Sequence, residues 1–301
     1  MTARTVSMGA PFRWLMKAVD VGRRNPRALF GGFALLMLVG LVPSVLQLGL
    51  QAALAKSPQL MMALYLLVLL ASLVLMPPLT GGAIRLLHAC ETGQPASATD
   101  VFAGYSDRAF AVRMILTALL LMLVCVVVFG LMVAMMPGKE FMAELFSRAL
   151  AAPPGGQADM SNMPDLPPSF LLWMLGAAAV TMVLTHAYLL AFTHAALGGH
   201  GPLDAVVQGF KATFMNVLPF IGFSLAAMVV GFVAMLVLAL VVGLLAGVLM
   251  LASPVLAGVV LLPIYLGFMV VLYVVMFGFY YHGWREIFGE PAADPTDAIA
   301  A

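Results

Sequence analysis

Apolar residues fill six long runs of the chain, at about 28–50, 60–84, 110–136, 169–196, 217–250 and 255–282. Polar residues gather in the shorter stretches between them. A helix that crosses the hydrocarbon core of a bilayer takes ~20 such residues, so each run predicts one crossing. The interval between Lys211 and Arg285 contains no Asp, Glu, Lys or Arg and has room for two. Ser253-Pro254 is its strong turn signal. The fifth run exceeds a perpendicular crossing and predicts a tilt, or a kink at Gly231 or Gly243. The fold class is therefore all-α: a polytopic transmembrane bundle of about six helices. It divides into an N-terminal stretch 1–27, a membrane domain 28–284 and a tail 285–301.

The stretches between the runs carry a second pattern. Phe12, Leu15, Met16 and Val19 recur with the helical period, and Arg13, Lys17, Asp20 and Arg24 recur between them. This predicts an amphipathic helix over 12–24 lying at a membrane interface. Pro202 opens a similar pattern, with Leu203, Val206, Val207 and Phe210 against Asp204, Gln208 and Lys211. Ser97-Ala98-Thr99-Asp100 reads as a capping box that leads into Val101, Phe102 and Tyr105. Each of these segments precedes an odd-numbered crossing, which suggests a repeat of one interfacial helix and one hairpin. Asn25 and Asn216 stand at the same offset from Pro11 and Pro202, as do Gly31 and Gly222. The two asparagines suit helix N-caps. His88, His194 and His282 each precede a Gly and then a Pro, a helix-stop signal.

Composition agrees with the pattern. The chain has 301 residues, 63% hydrophobic and 9% charged, and its mean hydropathy is +1.09. An ordinary soluble domain is ~25% charged. Ala53-Leu54-Ala55 resembles a leader-cleavage site, but the run before it is longer than a signal core and reads as a retained crossing. A net charge of +1 gives no reason to expect a nucleic-acid partner. The placement of charge matters more. With six crossings, eleven of the fourteen Lys and Arg residues fall on the side of the two termini and three, Lys56, Lys139 and Arg148, on the other. The positive-inside rule then puts both termini in the cytoplasm of a bacterial inner membrane. The loop 137–168 faces outward, and its Pro153-Pro154-Gly155-Gly156, Pro164, Pro167 and Pro168 predict irregular structure.

Candidate chemistry is sparse. Apart from Arg113 near the start of the third, the six runs contain no charged side chain, whereas coupled transporters usually place one in the membrane. No phosphate loop, nucleophile elbow or metalloprotease helix motif is present, and no cofactor or metal is expected. His186 and His194 lie two turns apart on the fourth run, near Tyr188. They read as a polar patch for a ligand, or more simply as an interhelical hydrogen bond and a helix-end cap. Met135, Met136, Met142, Met160 and Met163 gather around the outer loop. Thioethers bind copper(I), but methionine also fills apolar space, and the spacing favours filler. Cys90 and Cys125 read as reduced thiols. Arg13, Trp14, Lys17, Arg23, Arg24 and Arg27 are the candidates for contact with anionic lipid or a partner, with Trp14 at the headgroups.

The string Trp14 to Asp20 with Gly22-Arg23-Arg24-Asn25-Pro26, then Pro78-Leu79-Thr80-Gly81-Gly82 and Asp100-Val101-Phe102-Ala103-Gly104, resembles an uncharacterised family of proteobacterial inner-membrane proteins. More loosely, the layout is similar to the membrane domain attached to some glycerophosphodiester phosphodiesterases, whose catalytic domain has no counterpart here. The resemblance implies a location and a fold but no activity. The expected function is non-enzymatic action on membrane lipids or a membrane-protein partner. The alternative is a permease for a small or amphiphilic solute with its path near His186. An intramembrane enzyme is third, for want of a nucleophile–base pair.

Overall fold

The computed structural model describes residues 2–54, 57–151, 165, 167–199 and 201–289. The elements are α1 (Ala10–Val19), α2 (Pro26–Leu54), α3 (Pro58–Thr92), a 3-10 turn (Ala98–Phe102) leading into α4 (Ala103–Ser106), α5 (Arg108–Ala134), α6 (Lys139–Ala151), α7 (Ser169–Leu197), α8 (Pro202–Met215), α9 (Val217–Ala252) and α10 (Pro254–Phe288). Among the described residues there is no strand, and six helices, α2, α3, α5, α7, α9 and α10, are long and apolar enough to cross a membrane. The fifth run forms one continuous helix through Gly231 and Gly243. α3 and α10 continue past the apolar runs that predicted them, to Thr92 and Phe288. Polar side chains end the hydropathy signal there, but packing against other elements continues the helix.

The chain forms two compact bodies. The larger comprises residues 1–121 and 186–301, and the smaller 122–185. In the smaller, α6 lies in the stretch expected to be irregular. Its residues Glu144 and Arg148 pair at 2.7 Å across one helical turn, a spacing that supports a helix. The Pro and Gly signal that suggested a loop begins only at Pro153, and residues 153–164, with Met160 and Met163, lie outside the described ones. Trp173 Nε1 donates to the Met132 carbonyl at 3.2 Å, joining α7 to α5 within this body.

In the larger body the core gathers where the crossings meet α1, the 3-10 turn and α8. Buried positions run from Ala28 to Leu36 on α2, Leu79 to Cys90 on α3 and Phe110 to Leu121 on α5, and they cluster from Val270 to Phe288 on α10. The far ends of α2, α3 and α10, and the length of α9, expose Leu48, Leu67, Val255 and Leu240, as a surface solvated by acyl chains requires.

Glycines bring the short elements onto the long ones. A Cβ on Gly82 of α3 would lie 2.0 Å from the Val101 carbonyl oxygen, and one on Gly104 would lie 2.4 Å from that of Pro78. The two sequence strings around Pro78 and Asp100 are thus the two halves of one contact. A Cβ on Gly278 of α10 would meet Ala18 of α1 at 3.2 Å, and one on Gly209 of α8 would meet Ala191 of α7 at 2.5 Å. In each case a short element packs on the second crossing of the preceding hairpin, with α1 closing the cycle on α10.

The paired offsets behave alike. Asn25 Nδ2 donates to the Ala96 carbonyl at 2.9 Å, just before the 3-10 turn. Asn216 Nδ2 donates to the Arg4 carbonyl at 2.9 Å, just before α1, and its Oδ1 accepts from Val6 N at 2.7 Å. A Cβ on Gly31 would meet Ala98, and one on Gly222 would meet Met8, so each glycine faces the same neighbour as its asparagine. The middle repeat has Asp107 at this place, and its Oδ1 accepts from Phe110 N at 3.1 Å, as Asn25 Oδ1 accepts from Ala28 N at 3.2 Å. Asn25 therefore caps α2 with its side chain as expected, whereas Asn216 stands at the N-cap position of α9 without a side-chain cap bond. The N3 residue of α9 is Pro219, which has no N–H to give, so the Asn216 oxygen is spent on Val6. Asp100 Oδ2 accepts from Ser97 N at 2.8 Å, completing the expected return bond of the capping box.

Candidate functional site

α1 divides its surface three ways. Ala10, Trp14 and Ala18 form a buried stripe against α10. Phe12, Met16 and Val19 are exposed by 44%, 75% and 66%. Arg13 and Lys17 are exposed between them. Trp14 departs from the expected headgroup position. It is 1% exposed, its ring packs 5.9 Å from Phe220 and 5.6 Å from Phe279, and its Nε1 donates to Glu286 Oε2 at 2.7 Å. Gly283 leaves the space, since a Cβ there would lie 3.0 Å from the indole. Arg13 Nη2 takes the other Glu286 oxygen at 2.8 Å. Phe12 turns away from this core and meets Phe223 of α9 edge-on at 5.5 Å, so the exposed apolar stripe continues onto a crossing helix.

The remaining arginines of this face have different tasks. Arg24 Nη1 donates to the Glu91 carbonyl at 2.7 Å, bracing the α1–α2 turn against the end of α3. Arg23 pairs with Asp20 at 2.7 Å on the exposed surface, where such a pair is worth little. Arg27 is exposed in the first turn of α2.

The polar residues of the crossings also find partners. His186 is 5% exposed. Its Nε2 lies 2.9 Å from Ser224 Oγ of α9, and its Nδ1 lies 2.9 Å from the Tyr280 hydroxyl of α10. Its ring stacks on Phe220 at 4.3 Å. His194 Nδ1 accepts from Trp284 Nε1 at 3.0 Å, so this side chain also bridges two helices. Tyr188 stacks on Phe192 at 5.7 Å and is not among the partners of His186.

The structure thus assembles a serine–histidine pair that no sequence spacing announced, because its members lie 38 residues apart. The distance suits a nucleophile and its base. The third group is a neutral phenol rather than a carboxylate, and a carboxylate is what would hold the charge of an imidazolium. The surrounding helical N–H groups are engaged in their own ladders, so they do not offer the free donors that an oxyanion needs. Both ring nitrogens are satisfied, and the arrangement acts as a hydrogen-bonded clamp across three helices. Cys90 and Cys125 are free thiols, Cys90 buried. Among the described residues, no group of three or more His, Cys, Asp or Glu side chains is placed to hold a metal ion.

Six apolar crossing-length helices in an all-α chain define an integral, multi-pass membrane protein. No protein-family model, curated protein or solved structure matches the chain.

Proposed function

We propose that this is a non-enzymatic protein of a bacterial inner membrane, with both termini in the cytoplasm, that engages anionic lipid through the α1 face. The family resembled in the sequence is consistent with that location. One observation carries the reading: α1 is fastened to α10 by one stripe and still presents an apolar stripe and a basic edge side by side. Phe12 and Arg13 also reach α9 and α10, but Met16, Val19 and Lys17 stay exposed, and together they match a helix seated at the headgroup boundary. Complete burial of a large apolar side chain contributes ~1.5–3 kcal/mol, and interfacial burial a fraction of that. Each basic group near an anionic leaflet adds ~1 kcal/mol.

Native mass spectrometry of the full-length protein, extracted from membranes of mixed lipid, tests the reading. Anionic phospholipid is expected to stay bound in preference to zwitterionic. Lys17→Glu with Arg27→Glu is expected to remove the preference, and Met16→Asp with Val19→Asp to reduce total retained lipid. Arg13 and Arg24 are left alone because they brace the fold. Equal retention of both lipid classes by the unaltered protein would sink the proposal.

The orientation has its own test. In a background of Cys90→Ala and Cys125→Ala, Ser147→Cys on α6 is expected to react with an impermeant thiol reagent in intact cells. Ser106→Cys at the end of α4 is expected to stay unlabelled until the membrane is opened. Labelling of position 106 from outside would reverse the assignment.

A further inference from the structure

α3 and α5 meet at Gly81, where a Cβ would lie 2.7 Å from Phe110 and 3.0 Å from Met114. That closeness buries Phe110 to 1% exposure and leaves its ring as a platform. Two guanidinium groups use it. The Arg85 Cζ lies 3.5 Å from the ring centroid and the Arg113 Cζ 5.3 Å from it. The two charges repel one another. A carboxylate, Asp107, is near, with Oδ2 3.8 Å from Arg85 Nη1, longer than a good hydrogen bond. Its Oδ1 is committed to capping α5. Arg113 Nε is shielded from solvent and has no hydrogen-bond partner among the described residues.

This is an expensive arrangement for a membrane protein. Arg85 lies seven residues before the end of α3 and Arg113 five residues after the start of α5. Arg85 directly follows the apolar run 60–84 and Arg113 stands near the start of the run 110–136, the level at which a crossing helix meets the lipid phosphates. Arginines that only mark topology extend apart toward water. These two converge on one aromatic ring and keep an unsatisfied donor, while the Arg85 side chain remains 39% exposed.

We infer that Arg85 and Arg113, braced on Phe110, bind the phosphate of an anionic phospholipid. A phosphate between the two groups cancels their repulsion and accepts charge-assisted, fork-like hydrogen bonds from both. The inference goes beyond the α1 reading, because it concerns a discrete site separate from the α1 face.

The test is titration of full-length protein in neutral detergent with short-chain phosphatidylglycerol, short-chain phosphatidylcholine and inorganic phosphate, read by thermal stability and native mass spectrometry. Phosphatidylglycerol is expected to stabilise and the other two to have little effect. Arg113→Gln is expected to weaken phosphatidylglycerol binding about tenfold or more, the loss of one charge-assisted bond. Arg113→Lys keeps the charge without the fork and is expected to fall between, so it carries the test if the glutamine variant is not monodisperse. Unchanged affinity in either variant overturns the site, and so does stabilisation by inorganic phosphate with phosphatidylglycerol inert. If Lys17→Glu with Arg27→Glu abolishes lipid retention while Arg113→Gln does not, this site fails and the α1 reading survives. The opposite result keeps the site and removes the α1 face.

Discussion

Trp14→Ala is expected to destabilise the protein by about 3–5 kcal/mol, the range for deleting a large buried aromatic side chain. The indole is 1% exposed, lies between Phe220 and Phe279, and holds Glu286 through its N–H. Its loss opens a cavity between α1 and α10 and leaves Glu286 with Arg13 alone on the rim. Glu286→Gln separates the contributions. The amide oxygen still accepts from the indole and only the exposed pair with Arg13 is lost, so a much smaller change is expected. Thermal unfolding in detergent, followed by near-UV circular dichroism, measures both. A Trp14→Ala protein within about 1 kcal/mol of the unaltered one would mean that α1 is not docked and lies free on the membrane.

Gly82→Ala is the second large effect. The added carbon would lie 2.0 Å from the Val101 carbonyl oxygen, and the obstacle is backbone, which cannot turn aside as a flexible side chain can. The 3-10 turn must then lift off α3, at a cost of about 1–3 kcal/mol or more. Gly231→Ala is the control. Nothing lies within 4 Å of its added carbon, and alanine is the better helix former by about 0.5–1 kcal/mol. The expected signature is therefore opposite in sign at two helical glycines: a lowered unfolding temperature at 82 and an unchanged or raised one at 231. A Gly82→Ala protein as stable as the unaltered one would refute the close approach.

The six crossings were legible because bilayer solvation imposes contiguous apolar runs, and contiguity is a local property of sequence. The helix α1 was legible for a similar reason, since its amphipathic period shows within ten residues. Which stripe docks was not. Trp14 resembles a headgroup anchor by residue type, and the glycine that receives it, Gly283, lies far away in sequence, as does Gly278, which receives Ala18. The extensions of α3 and α10 were missed because their last turns carry Arg85, His88, Glu91, His282 and Arg285, which end a hydropathy run without ending a helix. The paired asparagines show both outcomes: at the same offset each donates to a carbonyl just before a short helical element, but only Asn25 also caps its helix with its side chain, since Pro219 removes the N3 donor from α9. His186 was legible as a polar residue needing a partner; Ser224 and Tyr280 became its partners only through the packing of α7, α9 and α10.

The docking of α1 on α10 sets an order of events during synthesis. Trp14 and its hydrogen-bond acceptor are 272 residues apart, and Arg4 N reaches the Ile287 carbonyl at 3.1 Å. At ~5–20 residues per second, the ribosome needs on the order of 15–50 seconds to supply the second half of this contact. During that interval the indole of the nascent chain has no native seat, and the stripe Ala10, Trp14 and Ala18 is uncovered. Insertion of the last helix is what retires it. A chain arrested or truncated before α10 keeps this stripe uncovered for as long as it persists.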